Sequence, residues 1–274
     1  MPDLSADTTK SVSSTKSSAA PVTGSGPTTP RIAVIGAGIT GMTTAFRLQQ
    51  QGYDVTVIER QRYAGMETSF ANGGQLSTSN AEVWNSWGTM VKGMKWLFKA
   101  DAPLLLNLKP SWHKYSWLAE FVAAIPNYRR NTIETVKLAL AARASLLDMA
   151  RDANIDCNFE HRGILHFYKS KAEFDAAARV SELLAEGGLE RKAITPDEVK
   201  AIEPALNTSD VYGGFYTETD FTGDIHRYTV GLAEGIEKQG VRFKQGTDVR
   251  LKQNPKGGVD VISADWSGGF QSTG

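Results

Sequence analysis

The residues with the clearest chemistry in this sequence are three glycines, Gly36, Gly38 and Gly41, spaced as G-x-G-x-x-G, and the acidic Glu59. In a dinucleotide site, the first glycine permits a tight turn and the second lets the backbone approach a pyrophosphate. The third lets a helix pack closely on a strand. Glu59 would accept hydrogen bonds from a ribose diol and repel a 2′-phosphate, which favours FAD or NAD over NADP.

Three elements must position these residues, and the hydrophobic pattern predicts each of them. Residues 31–35 are a short apolar run typical of a buried parallel strand. Residues 42–51 predict a helix that stops at Gly52, and residues 54–59 predict a second strand. The glycines therefore lie where strand becomes helix, and the helix N-terminus would face the phosphates. This register favours a dinucleotide site over a ligand-free turn in an unrelated α/β fold.

Beyond this unit the pattern changes to a helix-rich stretch with its own strands, and then returns to helix and strand. Thr195 and Glu198 form a capping box for a short helix with Pro196 at its first position. Asp224 is predicted to cap a helix that runs to residue 239. The other predicted elements are a helical stretch over 117–154 with a new helix after Pro126, a helix over 171–186, and strands over 163–168, 213–217, 241–244 and 259–263. This order is typical of a nucleotide-binding domain interrupted by a substrate domain.

The composition argues against several classes of protein. Acidic and basic residues balance at 30 each, so no net charge would attract nucleic acid, and a small-molecule partner is favoured. Cys157 is the only cysteine, which rules out an internal disulfide and indicates a reducing, cytoplasmic compartment. The four histidines lack the spacing of a ligand pair, so no metal is predicted. Residues 1–30 are rich in Ser, Thr, Pro and Ala and predict a disordered tail.

A known family is suggested by residues 67–77, with the sequence ETSFANGGQLS. This segment resembles the one by which the D-amino acid dehydrogenase branch of the D-amino acid oxidase-like FAD-dependent oxidoreductases passes its flavin. The similarity extends in order over residues 31–263 and includes the segments 94–98, 102–104, 163–167, 197–199, 202–206, 213–215 and 222–224. Sister enzymes that oxidise glycine, sarcosine, opines or hydroxyproline share this architecture and remain an alternative.

The resemblance implies an α/β fold, in which a Rossmann-type FAD-binding domain is interrupted by an α+β substrate domain. The expected division is a tail at 1–30, the FAD-binding domain at 31–83 and, incomplete, at 223–274, and the substrate domain at 84–222. The residues implied to hold FAD are Gly36, Ala37, Gly38, Ile39, Gly41 and Glu59, with Arg60 beside the adenosine and Ser69, Asn72, Gly73, Gly74 and Gln75 near the pyrophosphate and flavin ring. A purely structural turn at Gly73–Gly74 is the alternative for the last group.

The resemblance also implies a reaction. Hydride transfer from Cα of an amino acid to flavin N5 would give an imino acid, which hydrolyses to a 2-oxo acid and ammonia. The electrons would pass to a quinone or an electron-transfer protein. A substrate carboxylate is usually held by an arginine with a tyrosine, so Arg162, Arg227 and Tyr216 are weak candidates. His226 is another candidate, although an exposed position in the first turn of the helix capped by Asp224 is favoured for it.

An aromatic stretch supports a separate hypothesis. Trp84, Trp87, Val91, Met94 and Phe98 would share one helical face, flanked by three lysines at 92, 95 and 99. Such a helix could lie peripherally on the inner face of the cytoplasmic membrane and bring the protein to a quinone. Packing against the substrate domain is the favoured alternative, because apolar stripes are usually core.

The position of the last residue, Gly274, leaves several hypotheses open. Family members carry a later Gly-rich segment that touches the flavin ring, and we find none here. We therefore expect that this chain is a fragment or that another polypeptide supplies the remainder. The hypotheses are a flavoenzyme completed by its missing portion, an NAD dehydrogenase, which the flavin-like loop disfavours, and an inactive binding or assembly subunit.

Overall fold

A computed structural model describes residues 30–96, 109–255 and 259–263. The predicted tail up to residue 29, and Phe98 and Lys99 of the aromatic stretch, lie outside the described residues. The helices are α1 (Ile39–Gln50), α2 (Trp87–Trp96), α3 (Trp112–Ala123), α4 (Tyr128–Asp152), α5 (Lys171–Glu186), α6 (Pro196–Ile202) and α7 (Ile225–Lys238). The strands are β1 (Arg31–Ile35), β2 (Asp54–Ile58), β3 (Gln75–Leu76), β4 (Ile164–Tyr168), β5 (Lys192–Ile194), β6 (Gly213–Thr217), β7 (Phe221–Thr222), β8 (Arg242–Lys244), β9 (Val249–Gln253) and β10 (Val259–Ser263).

The predicted strand-helix-strand unit forms one end of a parallel sheet. Its strand order is β1-β2-β8, with Val34 opposite Val57 and Val57 opposite Phe243. Helices α1 and α7 pack together on this sheet, and their apolar side chains fill its core. Met42 and Phe46 from α1 meet Tyr228 and Leu232 from α7, and all four side chains are buried. The apolar spacing of each helix thus explains why the two helices cover the strands.

A second, antiparallel sheet has the order β4-β6-β5 and belongs to the helix-rich stretch. Helix α5 covers it through Phe174, whose ring stacks on Phe215 with centroids 4.9 Å apart. Gly213 makes this approach possible, because a Cβ there would lie 3.0 Å from the Phe174 ring. Ser170 and Thr195 cap α5 and α6 through their side chains, and the capping box of Thr195 with Glu198 is present as predicted.

Two short strands join the first part of the chain to its later part. Gln75 and Leu76 of β3 pair with Thr222 and Phe221 of β7, and Thr222 also bridges to Glu160. Strands β9 and β10 form an antiparallel pair that packs Val261 against Ile58. These connections place the residues after β2 against the residues before α7, which is where the candidate site lies.

The aromatic stretch differs from the favoured expectation. In α2, Trp87, Val91 and Met94 are more than half exposed, and Trp84 just before the helix is 80% exposed. Trp112 at the start of α3 is also exposed. Among the described residues these side chains therefore have little apolar cover. Within that same part of the chain, every helix is too short or too polar to cross a bilayer.

Candidate functional site

The glycine turn between β1 and α1 is built by steric necessity. Gly36 has φ +94°, a conformation that side chains disfavour, and its N–H donates to the carbonyl of Ile58 at 2.8 Å. A Cβ on Gly41 would lie 1.9 Å from the carbonyl oxygen of Gly36, so α1 packs on the turn only because that atom is absent. Gly38 is the N-cap of α1 and makes no side-chain cap, so the first N–H groups of the helix must be satisfied by other residues or by an anion.

Glu59 follows β2 and lies beneath this turn, 7% exposed. Its carboxylate accepts one hydrogen bond from the Ala37 N–H at 2.6 Å and another from the Gln61 N–H at 2.7 Å. Because each carboxylate oxygen can accept more than one hydrogen bond, Glu59 keeps acceptor capacity for a ribose hydroxyl. The side chain therefore also shapes the turn, which the sequence pattern does not predict.

Arg60 lies at the surface beside the same turn. Its guanidinium donates to Glu67 at 2.8 Å, and its side chain is 63% exposed. Gln61 donates to the same Glu67 oxygen at 2.6 Å. Hydrogen bonds from Gln61 and then Arg60 hold the pKa of Glu67 below its usual value. The guanidinium of Arg60 thus balances the negative charge of Glu67, which would otherwise repel a phosphate in the cavity.

The loop after Glu67 closes over the N-terminus of α1. The Ser69 hydroxyl accepts from the Ile39 N–H at 3.0 Å, so this residue caps the helix from a distance of 30 positions in sequence. Asn72 accepts from the Gly74 N–H at 2.8 Å and donates to the carbonyl of Ser69 at 3.1 Å. Gly74 has φ +61°, and a Cβ there would lie 2.7 Å from the carbonyl oxygen of Gly223. The loop is therefore a rigid turn that uses both glycine and side-chain contacts.

Between the glycine turn and this loop lies an open cavity of about 670 Å³. Its walls include Gly36, Gly38, Gly41, Glu67, Ser69 and Asn72. Space is available beside Gly36, since a Cβ at that position would have no neighbour within 4 Å. The main-chain turn, the helix N-terminus and the nearby carboxylate of Glu59 fit the diphosphate and ribose of a dinucleotide. The structure thus brings the two predicted motifs to one cleft.

Asp220, which the sequence analysis missed, holds residues 77–79, the end of the loop that follows Glu67. Its side chain is fully buried and accepts from the Thr78 and Ser79 N–H groups at 3.0 Å each. It also accepts from the Ser77 hydroxyl at 3.2 Å and pairs with Arg143 at 3.3 Å. No local pattern separates Asp220 from an ordinary turn aspartate, because all of these partners are distant in sequence.

The candidates for substrate contact occupy two different surroundings. The Arg162 side chain is 85% exposed and pairs with Glu160, while its carbonyl accepts from the Tyr216 hydroxyl at 2.6 Å. Arg227 lies 3.8 Å from Asp156 in the first turn of α7 and is half exposed. The structure therefore does not bring these three candidates together around one cavity wall.

His226 has closer contacts with the loop than an exposed first-turn residue would. Asp224 does cap α7, accepting from the Arg227 N–H at 2.8 Å. The His226 ring, however, meets the Phe70 ring edge to face at a centroid distance of 4.9 Å and lies against Gly65. Its Nε2 is buried without a hydrogen-bond partner among the described residues. His226 and Phe70 also line a cavity of about 240 Å³ together with Gly73 and Gly74.

Neither a reactive thiol nor a metal site is found among the described residues. Cys157 is buried, and desolvation raises the pKa of its thiol to about 11, so it is poorly suited to act as a nucleophile. Over the part of the chain that the structure describes, no three His, Cys, Asp or Glu side chains cluster as a metal site would require.

Comparison with known proteins identifies relatives for this arrangement. Residues 31–271 match the DAO family, described as FAD dependent oxidoreductase. D-amino acid dehydrogenase 3 of Mesorhizobium japonicum is 60% identical over 78% of this chain and 52% of that protein. D-amino acid dehydrogenase of Paramagnetospirillum magneticum is 39% identical over 80% of this chain and 53% of that protein. The chain thus spans about half the length of these curated relatives.

Solved structures show the same fold at low sequence identity. Glycine oxidase from Geobacillus kaustophilus superimposes with a TM-score of 0.61 at 18% identity, over 89% of this chain and 54% of that one. L-proline dehydrogenase from P. horikoshii has a TM-score of 0.58 at 21% identity, over 87% of this chain and 50% of that one. Together with the family match, these superpositions confirm the predicted α/β FAD-binding fold.

Proposed function

Because this chain belongs to the DAO family of FAD dependent oxidoreductases, we propose that it holds FAD and takes part in the oxidative deamination of a D-amino acid. Bound flavin would accept a hydride from Cα of the substrate. The amino acid would lose that hydride and an amine proton, and water would convert the resulting imino acid to a 2-oxo acid and ammonia. The names of the curated relatives support a D-amino acid as substrate.

The observation that carries the proposal is the cleft between the glycine turn and the loop after Glu67. Two motifs more than 25 residues apart meet there, and the Ser69 hydroxyl contacts the first N–H group of α1. We propose that the turn from Gly36 to Gly41 holds the pyrophosphate and that Glu59 holds the adenosine ribose. The chain's own groups would bind and orient the cofactor, and no metal is needed for that step.

The absorbance spectrum of the purified protein tests the cofactor, and anaerobic reduction tests the reaction. We expect the visible bands of oxidised flavin, which should bleach on addition of D-alanine and persist with L-alanine. The L-enantiomer is a matched control because it differs only in handedness. A flavin-containing protein that no amino acid bleaches would contradict the proposed reaction and favour a non-catalytic FAD-binding subunit.

Amine oxidation is the alternative reaction at the same cleft. The fold is shared with a glycine oxidase and an L-proline dehydrogenase, although at an identity that supports the fold alone. Glycine, sarcosine and hydroxyproline, tested in the same anaerobic assay, separate this alternative from the first. Faster bleaching by one of these compounds than by any D-amino acid would reassign the substrate class.

The electron acceptor is proposed to be a quinone reached at a membrane surface. Trp87, Val91 and Met94 are exposed on α2, and Lys92 and Lys95 lie on the same short helix. An amphipathic helix with tryptophans and lysines is suited to the interface of anionic lipids. Co-sedimentation with liposomes containing anionic lipid tests this contact. Equal recovery in the supernatant with and without liposomes would argue for a soluble electron-transfer protein instead.

A further inference from the structure

A second cavity, of about 410 Å³, lies away from the glycine turn, where the segment after β3 meets the antiparallel sheet. We infer that this cavity binds the amino-acid substrate, with Arg191 holding its carboxylate and Glu82 accepting from its amino group. The inference rests on the proposed function and names the part of the chain that recognises the substrate. The residues around the cavity include Ser79, Glu82, Trp84, His166, Tyr168 and Arg191.

Arg191 is held in place but has donors to spare. Its guanidinium lies over the Phe215 ring, 5.0 Å from the centroid, and donates to the Tyr168 hydroxyl at 3.3 Å. That is its one hydrogen bond to the described residues, although a guanidinium has several N–H donors, and its Nε is buried without a partner there. An arginine held in this way is suited to a planar carboxylate, which accepts two parallel hydrogen bonds.

Glu82 supplies the opposite charge on the same cavity. One of its oxygens accepts from the Tyr128 hydroxyl at 2.5 Å, which fixes the side chain. Its second oxygen makes no hydrogen bond to the part of the chain that is described. An arginine and a carboxylate that line one cavity without pairing with each other match the two ends of an α-amino acid. A simple anion site would not carry Glu82.

The remaining walls are neutral. Burial first, and then the nearby Arg191, lower the pKa of His166, so its ring is uncharged near neutral pH. His166 Nε2 lies 3.1 Å from the Ser79 hydroxyl. The backbone N–H of Ser79 donates to Asp220. Trp84 adds an apolar surface. The cavity therefore favours amino acids with an uncharged side chain.

The cavity also lies close to the segment proposed to pass the flavin. Ser79 follows Gln75 by four residues, which limits the separation of their Cα atoms to about 14 Å. Asp220 fixes Thr78 and Ser79 with buried hydrogen bonds, so this short connection is rigid. A substrate held by Arg191 and Glu82 would lie beside that connection.

The test compares two probes in the purified flavoprotein. D-alanine carries both charged ends of the substrate, and propionate carries only the carboxylate. Calorimetry measures propionate binding, and anaerobic flavin reduction measures half-saturation by D-alanine. We expect Arg191→Met to weaken both on the order of 10- to 100-fold, the usual effect of losing a charge-assisted pair. Glu82→Gln should weaken D-alanine but leave propionate unchanged.

The control and the overturning results are distinct from those of the proposed function. Arg151→Met removes an arginine that is 73% exposed and pairs with Asp148 at the surface, and should leave both measurements within twofold. Arg191→Lys keeps the charge and is informative if Arg191→Met fails to fold; we expect about a tenfold loss. The inference is overturned if D-alanine reduces the flavin of the wild type and a folded Arg191 variant needs the same D-alanine concentration for half-saturation. The proposed function would still stand in that case. A flavin-containing wild type that no amino acid reduces contradicts the function, and propionate binding lost in Arg191→Met still supports the carboxylate site.

Discussion

Replacement of Gly41 by alanine tests whether the glycine turn is built as described. Helix propensity alone favours alanine over glycine by up to about 1 kcal/mol, so without tertiary contacts Gly41→Ala would stabilise α1. The built Cβ, however, lies 1.9 Å from the carbonyl oxygen of Gly36. Helix propensity therefore predicts that the substitution raises the free energy of unfolding, and the steric clash predicts that it lowers it.

The clash should dominate. Real Cβ atoms rarely approach a neighbour closer than 3.4 Å, so α1 and the turn must separate by about 1.5 Å. Gly36 cannot easily retreat, because its N–H is bonded to Ile58 at 2.8 Å. Overpacking of this kind costs about 1–3 kcal/mol, and a backbone neighbour places it near the upper end. Net of propensity, we expect a loss of about 2 kcal/mol and a fall in Tm of about 4–8 °C.

Thermal unfolding and flavin content measure the outcome, with Gly235→Ala as the matched control. Gly235 is inside α7, and a Cβ there would meet only Ala153, at the ordinary distance of 3.8 Å. The same chemical change should therefore raise stability by about 0.5–1 kcal/mol. A Gly41→Ala protein that melts at or above the wild-type temperature with full flavin content would refute the packing argument.

Three further predictions concern the buried polar groups. Asp220→Asn removes a carboxylate that Arg143 and two N–H groups share, and should lower the free energy of unfolding in urea by about 3 kcal/mol. An unchanged urea midpoint would show that these contacts of Asp220 do not stabilise the fold. The lowered pKa of His166 means that the unfolded chain takes up the proton first. Stability should therefore fall as pH drops below about 6.5, and His166→Gln should remove this component, which equal pH slopes for both proteins would disprove. Cys157, with a thiol pKa of about 11, should resist iodoacetamide at neutral pH until urea unfolds the protein, and rapid native labelling would show that the thiol is accessible.

The parts of the fold that the sequence predicts are those fixed by local pattern. The range 171–186 is α5 to the residue, and the capping box of Thr195 is present, because helix caps and periodicity depend on neighbours within a few positions. The two-residue strands β3 and β7 carry no such signal, since they exist only through each other.

The candidate site divides along the same line. The glycines of the turn and Glu59 could be assigned from spacing, whereas the contact of His226 with Phe70 could not, because 156 positions separate the two residues. Asp220 was missed for the same reason: its donors at Thr78 and Ser79 precede it by more than 140 positions. The exposure of Trp87 was not predicted either, because a helix with an apolar face has the same sequence pattern whether or not another element covers that face.

The pairing of Gln75 with Thr222 has a consequence for protein synthesis. Thr222 lies 147 positions after Gln75, so the loop over the cleft has no strand partner until the residues between them have been synthesised. At about 5–20 residues per second, translation leaves that loop waiting for roughly 7 to 30 s. Strand β2 waits longer still for β8. We therefore expect the loop over the cleft to become ordered only after β7 has been synthesised, and until then its glycine-rich backbone lacks this strand pairing.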